Sequence, residues 1–396
     1  MKKGIVLLLI SSLVLTGCWD RRELNELSMT MGIGIDESDD GYFVTVQVVV
    51  PLEVSIKGAR GNSVVTLFQA EGDTIFEAIQ KLSKEVPREV YPGHLRILVI
   101  SESVAEKGIG EILDFFSRNW EVRSDYFVVV AKDVKAQDIL NVTSSIESIP
   151  ANNMYDMLNV ANENWASTRG VTLDQLIRDI ASEGREAVIT GIEISGDDPE
   201  MGSSKQNVES ITPLARLRLT DIGVFKKDRL VGWLTEKEST GYNEITNQVK
   251  SSVKTLSCPG GGTITIDVSR ANAEIKAKVK NGNPEVDVVI HSEGDVAEVD
   301  CQIDLTKAET ISMLEKLYTK KSKEIMHTSI TTLQEAYQAD IFGFGEAVHR
   351  ADPKAWKKLK KNWDQEFSEL KVNIKVDAKI SQTGTISNSL QINEED

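Results

Sequence analysis

Two stretches in the last third of the chain alternate strictly between apolar and polar residues. The apolar positions are Ala271, Ala273, Ile275, Ala277 and Val279 in the first stretch, and Leu370, Val372, Ile374, Val376, Ala378 and Ile380 in the second. Because successive side chains of a strand point to opposite faces, this period of two predicts two half-buried strands. Between them, residues 306–339 carry apolar residues at helical spacing. This order of elements predicts an antiparallel sheet with helices on one face.

The first third of the chain interleaves predicted strands with predicted helices. In chain order the apolar patterns predict strands at 27–35, 42–50 and 64–70, a helix at 75–84, a strand at 95–100, a helix at 104–119 and a strand at 126–131. The first two strands flank a turn-rich segment and form a predicted hairpin. The later strand, helix and strand have the lengths of a βαβ unit, so this third is predicted to be α+β with a mixed sheet.

The middle third is predicted to be more helical. Its predicted elements are helices at 152–162 and 173–182, a strand at 187–194, and a hairpin of strands 215–225 and 230–234. Residues 196–210 are rich in Gly, Ser, Asp and Asn, so we expect a flexible loop or a domain boundary there. Residues 18–396 form a longer chain than a single hydrophobic core usually supports. Two or three domains are therefore expected.

An apolar run at the amino terminus, residues 5–16, is too short to cross a membrane. As a helix it would be about 18 Å long, whereas the core of a bilayer is about 30 Å thick. The positive start, apolar centre and small residues at its end are typical of an export signal. The ending Leu15-Thr16-Gly17-Cys18 further predicts lipoprotein processing, in which the Cys18 thiol takes a diacylglyceryl group and the chain is cut before it.

Residues 1–17 are therefore a predicted lipoprotein signal peptide, and residues 18–26 a lipidated tether. The alternative is an ordinary secreted protein in which Cys18 has no role. In the tether, Trp19 would lie at the level of the lipid headgroups. Arg21 and Arg22 could meet anionic lipid there, and an ion pair with the folded part of the chain is an equal alternative.

A second candidate surface for a membrane or partner is the lysine-rich segment 353–363. Trp356, Leu359 and Trp363 fall on one helical face of this segment. Five lysines surround that face: Lys354, Lys357, Lys358, Lys360 and Lys361. These lysines could face anionic lipid. We favour the alternative, a core helix whose tryptophans pack on the sheet and whose lysines are solvated.

The net negative charge of the chain disfavours one class of partner. A formal net charge of −16 disfavours nucleic acid and keeps an exported protein soluble. The acidic residues are scattered rather than in runs, so they indicate no particular site chemistry. No segment after residue 17 is long and apolar enough to cross a membrane.

Lipidation of Cys18 would leave two thiols, Cys258 and Cys301. An exported protein can join them in a disulfide, which would stabilise the fold by about 4 kcal/mol in the chain-entropy model. We favour the alternative, in which both are small buried hydrophobic side chains. A metal site is the least favoured, because neither cysteine has a second ligand nearby in the sequence and the four histidines are scattered.

The sequence contains no recognisable catalytic, cofactor-binding or metal-binding motif. It has no GxSxG elbow, HExxH motif, Walker loop or GxGxxG loop. The glycine-rich residues 258–262 lack the Lys-Ser/Thr of a phosphate loop and predict a mobile turn between strands. His94 stands alone before a strand, where a histidine more often hydrogen-bonds its own loop than acts in catalysis. We therefore expect a protein that is not an enzyme and uses no cofactor.

Four segments in chain order carry a family resemblance. They are Leu15–Leu24, His94–Ile100 with the βαβ unit around it, Gly223–Leu234, and Pro353–Trp363 with the last strand. Together they resemble the spore germination C-subunit family, often written Ger(x)C. Its members are the lipoprotein subunits of nutrient germinant receptors in endospore-forming bacteria. The segments run in family order over essentially all of residues 18–396.

The resemblance implies three α/β domains and no catalytic residues. Combined with the patterns above, the expected fold is α+β, with three domains that are each a mixed or antiparallel sheet packed with helices. The expected domains are a first α/β domain at 27–135, a second α/β domain at 136–240, and a third α+β domain at 241–396 with an antiparallel sheet and a long helix. Residues 242–245 are more polar than expected after the Gly-Trp-Leu hairpin, which leaves the junction into the third domain open.

The resemblance also implies a place and partners. It implies assembly with two integral membrane subunits, called A and B, in the spore inner membrane, and a role in the germination response to nutrients. Cys18 is the one residue to which it gives a chemical role. The leading hypothesis is thus a non-enzymatic receptor subunit held by lipid on the outer face of the membrane.

Two other classes of protein remain as alternatives. A solute-binding lipoprotein of a transporter would have two similar α/β lobes around a cleft, whereas the predicted last third does not mirror the first. An envelope hydrolase is disfavoured because the sequence lacks a catalytic constellation.

Overall fold

The computed structural model describes residues 23–51, 53 and 63–384, and places their strands in two β-sheets. The first sheet contains β1 (Leu27–Ser38), β2 (Gly41–Val49), β3 (Val65–Gly72), β4 (Glu89–Tyr91), β5 (Ile97–Ser101), β6 (Phe127–Ala131), β7 (Val188–Ser195), β8 (Arg216–Lys226) and β9 (Arg229–Trp233). The second contains β10 (Ser252–Ser257), β11 (Thr263–Lys280), β12 (Asn283–Asp300) and β13 (Lys371–Gln382).

Helices connect these strands and cover the sheets. Within the described residues they are α1 (Ile75–Lys81), α2 (Glu102–Lys107), α3 (Gly110–Arg118), α4 (Ala136–Asn141), α5 (Pro150–Asn164), α6 (Leu173–Ala181), α7 (Lys205–Glu209), α8 (Glu236–Ile245), α9 (Ala308–Thr332), α10 (Phe344–Ala351), α11 (Pro353–Leu359) and α12 (Trp363–Ser368). Mixed sheets packed with helices confirm the predicted α+β class.

The first sheet has the order β3-β2-β1-β5-β6-β7-β8-β9, with β4 beside the start of β1. β1 and β2 form the predicted antiparallel hairpin. β1, β5 and β6 run parallel to one another, which confirms the predicted βαβ unit. The helix predicted at 104–119 is divided into α2 and α3, because Gly108 between them has a φ of +132°, a backbone conformation open mainly to glycine.

Residues 196–210, which we expected to form a flexible loop or a domain boundary, connect two neighbouring strands of the first sheet. They contain a 3₁₀-helix at Pro199–Ser203 as well as α7. The Asn207 side chain is buried and donates to the backbone carbonyl groups of Thr143 and Ala215, at 3.2 and 3.0 Å. One buried amide thus orders a segment whose composition is typical of loops.

The second sheet has the order β10-β11-β12-β13. β11 and β12 form a long antiparallel hairpin that turns at Asn281 and Gly282, both with positive φ. β13 pairs with β12 in parallel, with Lys371 opposite Glu285, where we predicted an antiparallel sheet. The connection between β12 and β13 explains the parallel pairing. α9 has 25 residues and is about 37 Å long, so it carries the chain back to the end where β12 began.

The two sheets share one hydrophobic core. Ile33 and Val224 of the first sheet belong to the same buried cluster as Val288 of the second and Phe342 from the segment after α9. Residues 242–245, whose polarity left the third-domain junction open, form the buried end of α8. Strands from residues 27–135 and 136–240 lie in one continuous sheet, and the three-domain division remains a prediction.

A buried carboxylate joins the segment after α9 to the rest of the molecule. The Asp340 carboxylate accepts hydrogen bonds from the backbone N–H groups of residues 343–345, at 2.7 to 3.1 Å, and from Trp363 Nε1, at 3.0 Å. Its backbone carbonyl accepts from the N–H of Glu186, which leads into β7. Burial raises the pKa of Asp340 to about 6.

Candidate functional site

A mainly apolar groove lies between α1 and α3. It has a volume of about 820 Å³. The main apolar side chains that line it are Phe76, Ile79, Val90, Phe115, Phe116 and Trp120. A groove of this size holds several side chains of a partner or a small molecule.

The two helices form the groove because each carries apolar residues beyond its core-facing side. In α1, Ile75 and Ala78 are buried, whereas Phe76 is 59% exposed. The Phe76 ring lies 6.4 Å from the ring of Phe115 on α3. Trp120, just after α3, is 78% exposed. This groove was not predicted from the sequence. The signal for it was that both helices carry apolar residues outside their regularly spaced, buried faces.

One end of the groove lies at the edge of the first sheet where β1 begins. β4 contributes Val90 to the groove and pairs in parallel with Leu27–Met29 at the start of β1. Trp120 follows the carboxyl end of α3, and the chain then enters β6 at its first residue. Because β1, β5 and β6 are parallel, they begin at one edge of the sheet. This end of the groove therefore lies near the start of β1, close to the first described residues of the chain.

Acidic side chains outnumber basic ones around the groove. The basic lining residues are Arg88 and Arg118, and the acidic ones are Glu89, Glu111, Asp114 and Glu121. Arg118 Nε lies 2.7 Å from Asp114 Oδ2, and this hydrogen bond holds the pKa of Asp114 below its usual value. The Tyr42 hydroxyl donates to Glu111, and burial followed by this contact raises the pKa of Tyr42 to about 12.

An acidic cleft lies at the opposite edge, where β1, β5 and β6 end. It has a volume of about 970 Å³ and includes Asp36, Glu102 and Asp133. The Asp36 carboxylate accepts from the backbone N–H groups of Ala136 and Gln137, at 2.7 and 3.0 Å, at the start of α4. Burial raises the pKa of Asp36. Glu102 accepts from Trp233 Nε1 and from the N–H of Asp133.

These carboxylates therefore hold helix starts and neighbouring strands in place. Across the described ranges, no group of three or more His, Cys, Asp or Glu residues is placed to hold a metal ion. His94, the lone histidine considered for catalysis, is exposed on a 3₁₀ turn at Pro92–His94, with its ring 6.2 Å from that of Tyr91.

In the lysine-rich segment 353–363, the aromatic residues belong to the core. Trp356 and Trp363 are buried with their rings 5.0 Å apart, as in the alternative that we favoured. All five lysines are exposed. Lys360 Nζ lies 2.8 Å from Glu183 Oε1, and this contact holds the pKa of Glu183 below its usual value. Contact of Lys354, Lys357, Lys358, Lys360 and Lys361 with lipid or a partner remains a prediction.

The predicted lipid site lies outside the described residues. This applies to Cys18 and equally to Trp19, Arg21 and Arg22. In the part of the chain that is described, none of the helices has the length and apolarity that a membrane span requires.

The other two cysteines are joined. Cys258 and Cys301 form a disulfide in the structure, rather than the two separate thiols that we favoured. The bridge links the turn between β10 and β11 to the end of β12. In that turn the Cys258 N–H donates to the carbonyl of Gly262, at 3.1 Å.

Comparison with known proteins supplies the family. Residues 20–194 match the model of the spore germination protein N-terminal domain, and residues 220–384 match that of the spore germination B3/GerAC-like C-terminal domain. The chain is also 30% identical to spore germination protein KC of Bacillus subtilis (strain 168), over 98% of this chain and 97% of that protein. The chain belongs to the GerAC family of spore germination proteins. The resemblance stated from the sequence is thereby confirmed.

Other members of the GerAC family are similar over the same length. Spore germination protein A3 of B. subtilis (strain 168) is 27% identical over 97% of this chain and 99% of that protein. The crystal structure of the GerBC protein superposes with a TM-score of 0.54 at 20% identity, covering 91% of this chain and 99% of that one. The match to the GerBC structure shows a shared fold, and the similarity to proteins KC and A3 along the whole chain supports a germination-related role.

Proposed function

We propose that this chain is a lipid-anchored, non-enzymatic subunit of a spore nutrient germinant receptor. Cys18 holds it on the outer face of the membrane that becomes the spore inner membrane, where it assembles with the integral membrane subunits A and B. The observation that carries the proposal is the similarity to spore germination protein KC along almost the entire length of both chains.

The proposed lipid anchor is supported by the residues that precede the described part of the chain. The Leu15-Thr16-Gly17-Cys18 ending follows an apolar run that is too short to span a membrane. Acyl chains contribute about 0.8 kcal/mol per buried CH₂, so a diacylglyceryl group together with an acylated amino terminus would hold the protein on a bilayer.

A non-enzymatic role is supported by what the concave surfaces contain. The groove between α1 and α3 is lined mainly by apolar side chains, and two carboxylates of the acidic cleft, Asp36 and Glu102, are hydrogen-bonded to backbone groups of the fold. A solute-binding lipoprotein of a transporter, the alternative, would be built from two similar lobes. The sheets of this chain differ in strand order and in the direction of pairing.

The test of the anchor is Cys18→Ala in the full-length protein. We expect an unchanged fold, loss of the protein from the spore membrane fraction, and slower nutrient-triggered germination. Ser12→Ala, which leaves the last four residues of the signal region and Cys18 intact, is the matched control and should behave as the wild type. Normal membrane fractionation and germination of the Cys18→Ala strain would contradict the proposal.

The test of the assembly is purification of the lipidated protein from spore membranes in mild detergent. Integral receptor subunits should accompany it in constant proportion. Their absence, together with saturable binding of a solute to the isolated protein, would favour the transporter lipoprotein instead.

A further inference from the structure

One end of the groove between α1 and α3 is close to the proposed anchor. Only four residues lie between Cys18 and Glu23, the first described residue, so the two are at most about 18 Å apart. The groove is lined in part by β4, which pairs with Leu27–Met29 just beyond. An anchor at Cys18 therefore keeps this edge of the first sheet near the membrane surface, so the inference below rests on the proposed lipid anchor.

The charge and shape of the groove disfavour lipid as its occupant. Anionic headgroups are attracted by clusters of Lys and Arg, whereas the lining has four acidic and two basic side chains. A bilayer surface is nearly flat on this scale and would leave a concave groove of about 820 Å³ unfilled. These features favour a protein segment that presents its own apolar side chains.

The aromatic side chains indicate how such a segment would bind. Exposed aromatic residues at the centre of an apolar patch with a charged rim are typical of protein interfaces. Phe76 and Trp120 stand on either side of the groove. A space between two helices suits a third, amphipathic helix, which inserts apolar residues spaced three or four apart.

We infer that the groove between α1 and α3 docks an amphipathic helical segment of an integral membrane partner, lying at the outer surface of the membrane. The apolar face of this segment fills the groove, and basic residues beside that face meet the acidic rim. The lipid anchor and the groove then act together, because the anchor confines the partner and the groove to the same thin layer.

The first test is the double substitution Phe76→Glu with Trp120→Glu in the lipidated full-length protein. We expect integral receptor subunits to co-purify about tenfold less, as when an interface loses an aromatic hot spot. The variant itself should remain in the membrane fraction. Its melting temperature should match the wild type, because both side chains are largely exposed in the structure.

The matched control is the double substitution Ile146→Glu with Ile211→Glu. These side chains are 94% and 102% exposed and lie away from the groove, so the control should co-purify with integral subunits as the wild type does. Equal co-purification of the groove variant, the control and the wild type would overturn the inference and leave the proposed function standing. Loss of the wild-type protein from the membrane fraction would instead contradict the proposed function.

The second test identifies the occupant by photo-crosslinking in intact spores. A photoreactive phenylalanine analogue at position 120 should form an adduct with an apolar segment of an integral receptor subunit. The same analogue at position 146 is the control. Adducts with lipid alone, with a second copy of this chain or with a soluble protein would overturn the inference, as would an adduct level at position 120 no higher than at position 146.

Discussion

The disulfide between Cys258 and Cys301 permits a quantitative prediction about the second sheet. It closes a loop with a sequence separation of 43, for which the chain-entropy model gives a stabilisation of about 4 kcal/mol. Both cysteines are buried, at 7% and 4% exposure. The double substitution Cys258→Ala with Cys301→Ala therefore removes the loop constraint together with the packing of two buried sulfur atoms.

A comparison of oxidised and reduced protein separates these two effects. Reduction of the wild type should lower the free energy of unfolding of the second sheet by about 4 kcal/mol, whereas the double variant should not respond to reductant. The reduced wild type and the double variant then differ only by the packing of the sulfur atoms. Native-state hydrogen exchange of the β10, β11 and β12 amides is the suitable assay, because it reports local stability in a chain with two sheets.

Two results would refute this reasoning. One is a difference of less than about 1 kcal/mol between oxidised and reduced wild type, since the loop-closure estimate would then be wrong for this fold. The other is the recovery of two alkylatable thiols at positions 258 and 301 in protein purified from an oxidising compartment.

Three further predictions concern buried polar groups. Burial raises the pKa of Asp340 to about 6 from an ordinary 3.8, so its stabilising contribution is full below pH 4 and is lost as the pH rises through 6. Burial also raises the pKa of other carboxylates, Asp36 among them, so the test is the difference in free energy of unfolding between wild type and Asp340→Asn. In urea titrations this difference should fall by about 3 kcal/mol across the window, and a difference that does not change with pH would contradict the prediction. Lys254 and Glu244 form a buried ion pair. Lys254→Met should therefore lower the free energy of unfolding in urea by about 3 to 5 kcal/mol, and adding Glu244→Gln should restore part of that stability. A double variant no more stable than the single variant would contradict the coupling. The buried Tyr126 hydroxyl has no hydrogen-bond partner among the described residues, so Tyr126→Phe should keep or raise the melting temperature, and a fall of several degrees would contradict this.

Local patterns predicted many of the individual elements well. The alternation at residues 271–279 predicted β11, and the turn-rich segment after residue 35 predicted the β1–β2 hairpin. Helical spacing likewise predicted α6 and the long α9. These predictions succeeded because the period of apolar residues along a strand or helix is a local property.

Other features depended on contacts between distant residues. Composition alone made 196–210 a loop, whereas a buried Asn207 bound to Thr143 and Ala215 orders it. The aromatic residues of the groove were visible in the sequence. Their proximity follows from the packing of α1 and α3 on the first sheet, which brings Phe76 next to Phe115.

By itself, the sequence determined the α+β class, most strand and helix positions and the family resemblance, and it alone supports the prediction of a lipid site at Cys18. Only the tertiary structure decided that β13 pairs in parallel with β12, that Cys258 meets Cys301, and that α1 and α3 leave an apolar groove beside the start of β1. The physical reason is that periodicity reports which face of an element is buried. Which element that face packs against, and in which direction two strands pair, depend on where each connection returns the chain. No short window of residues encodes this.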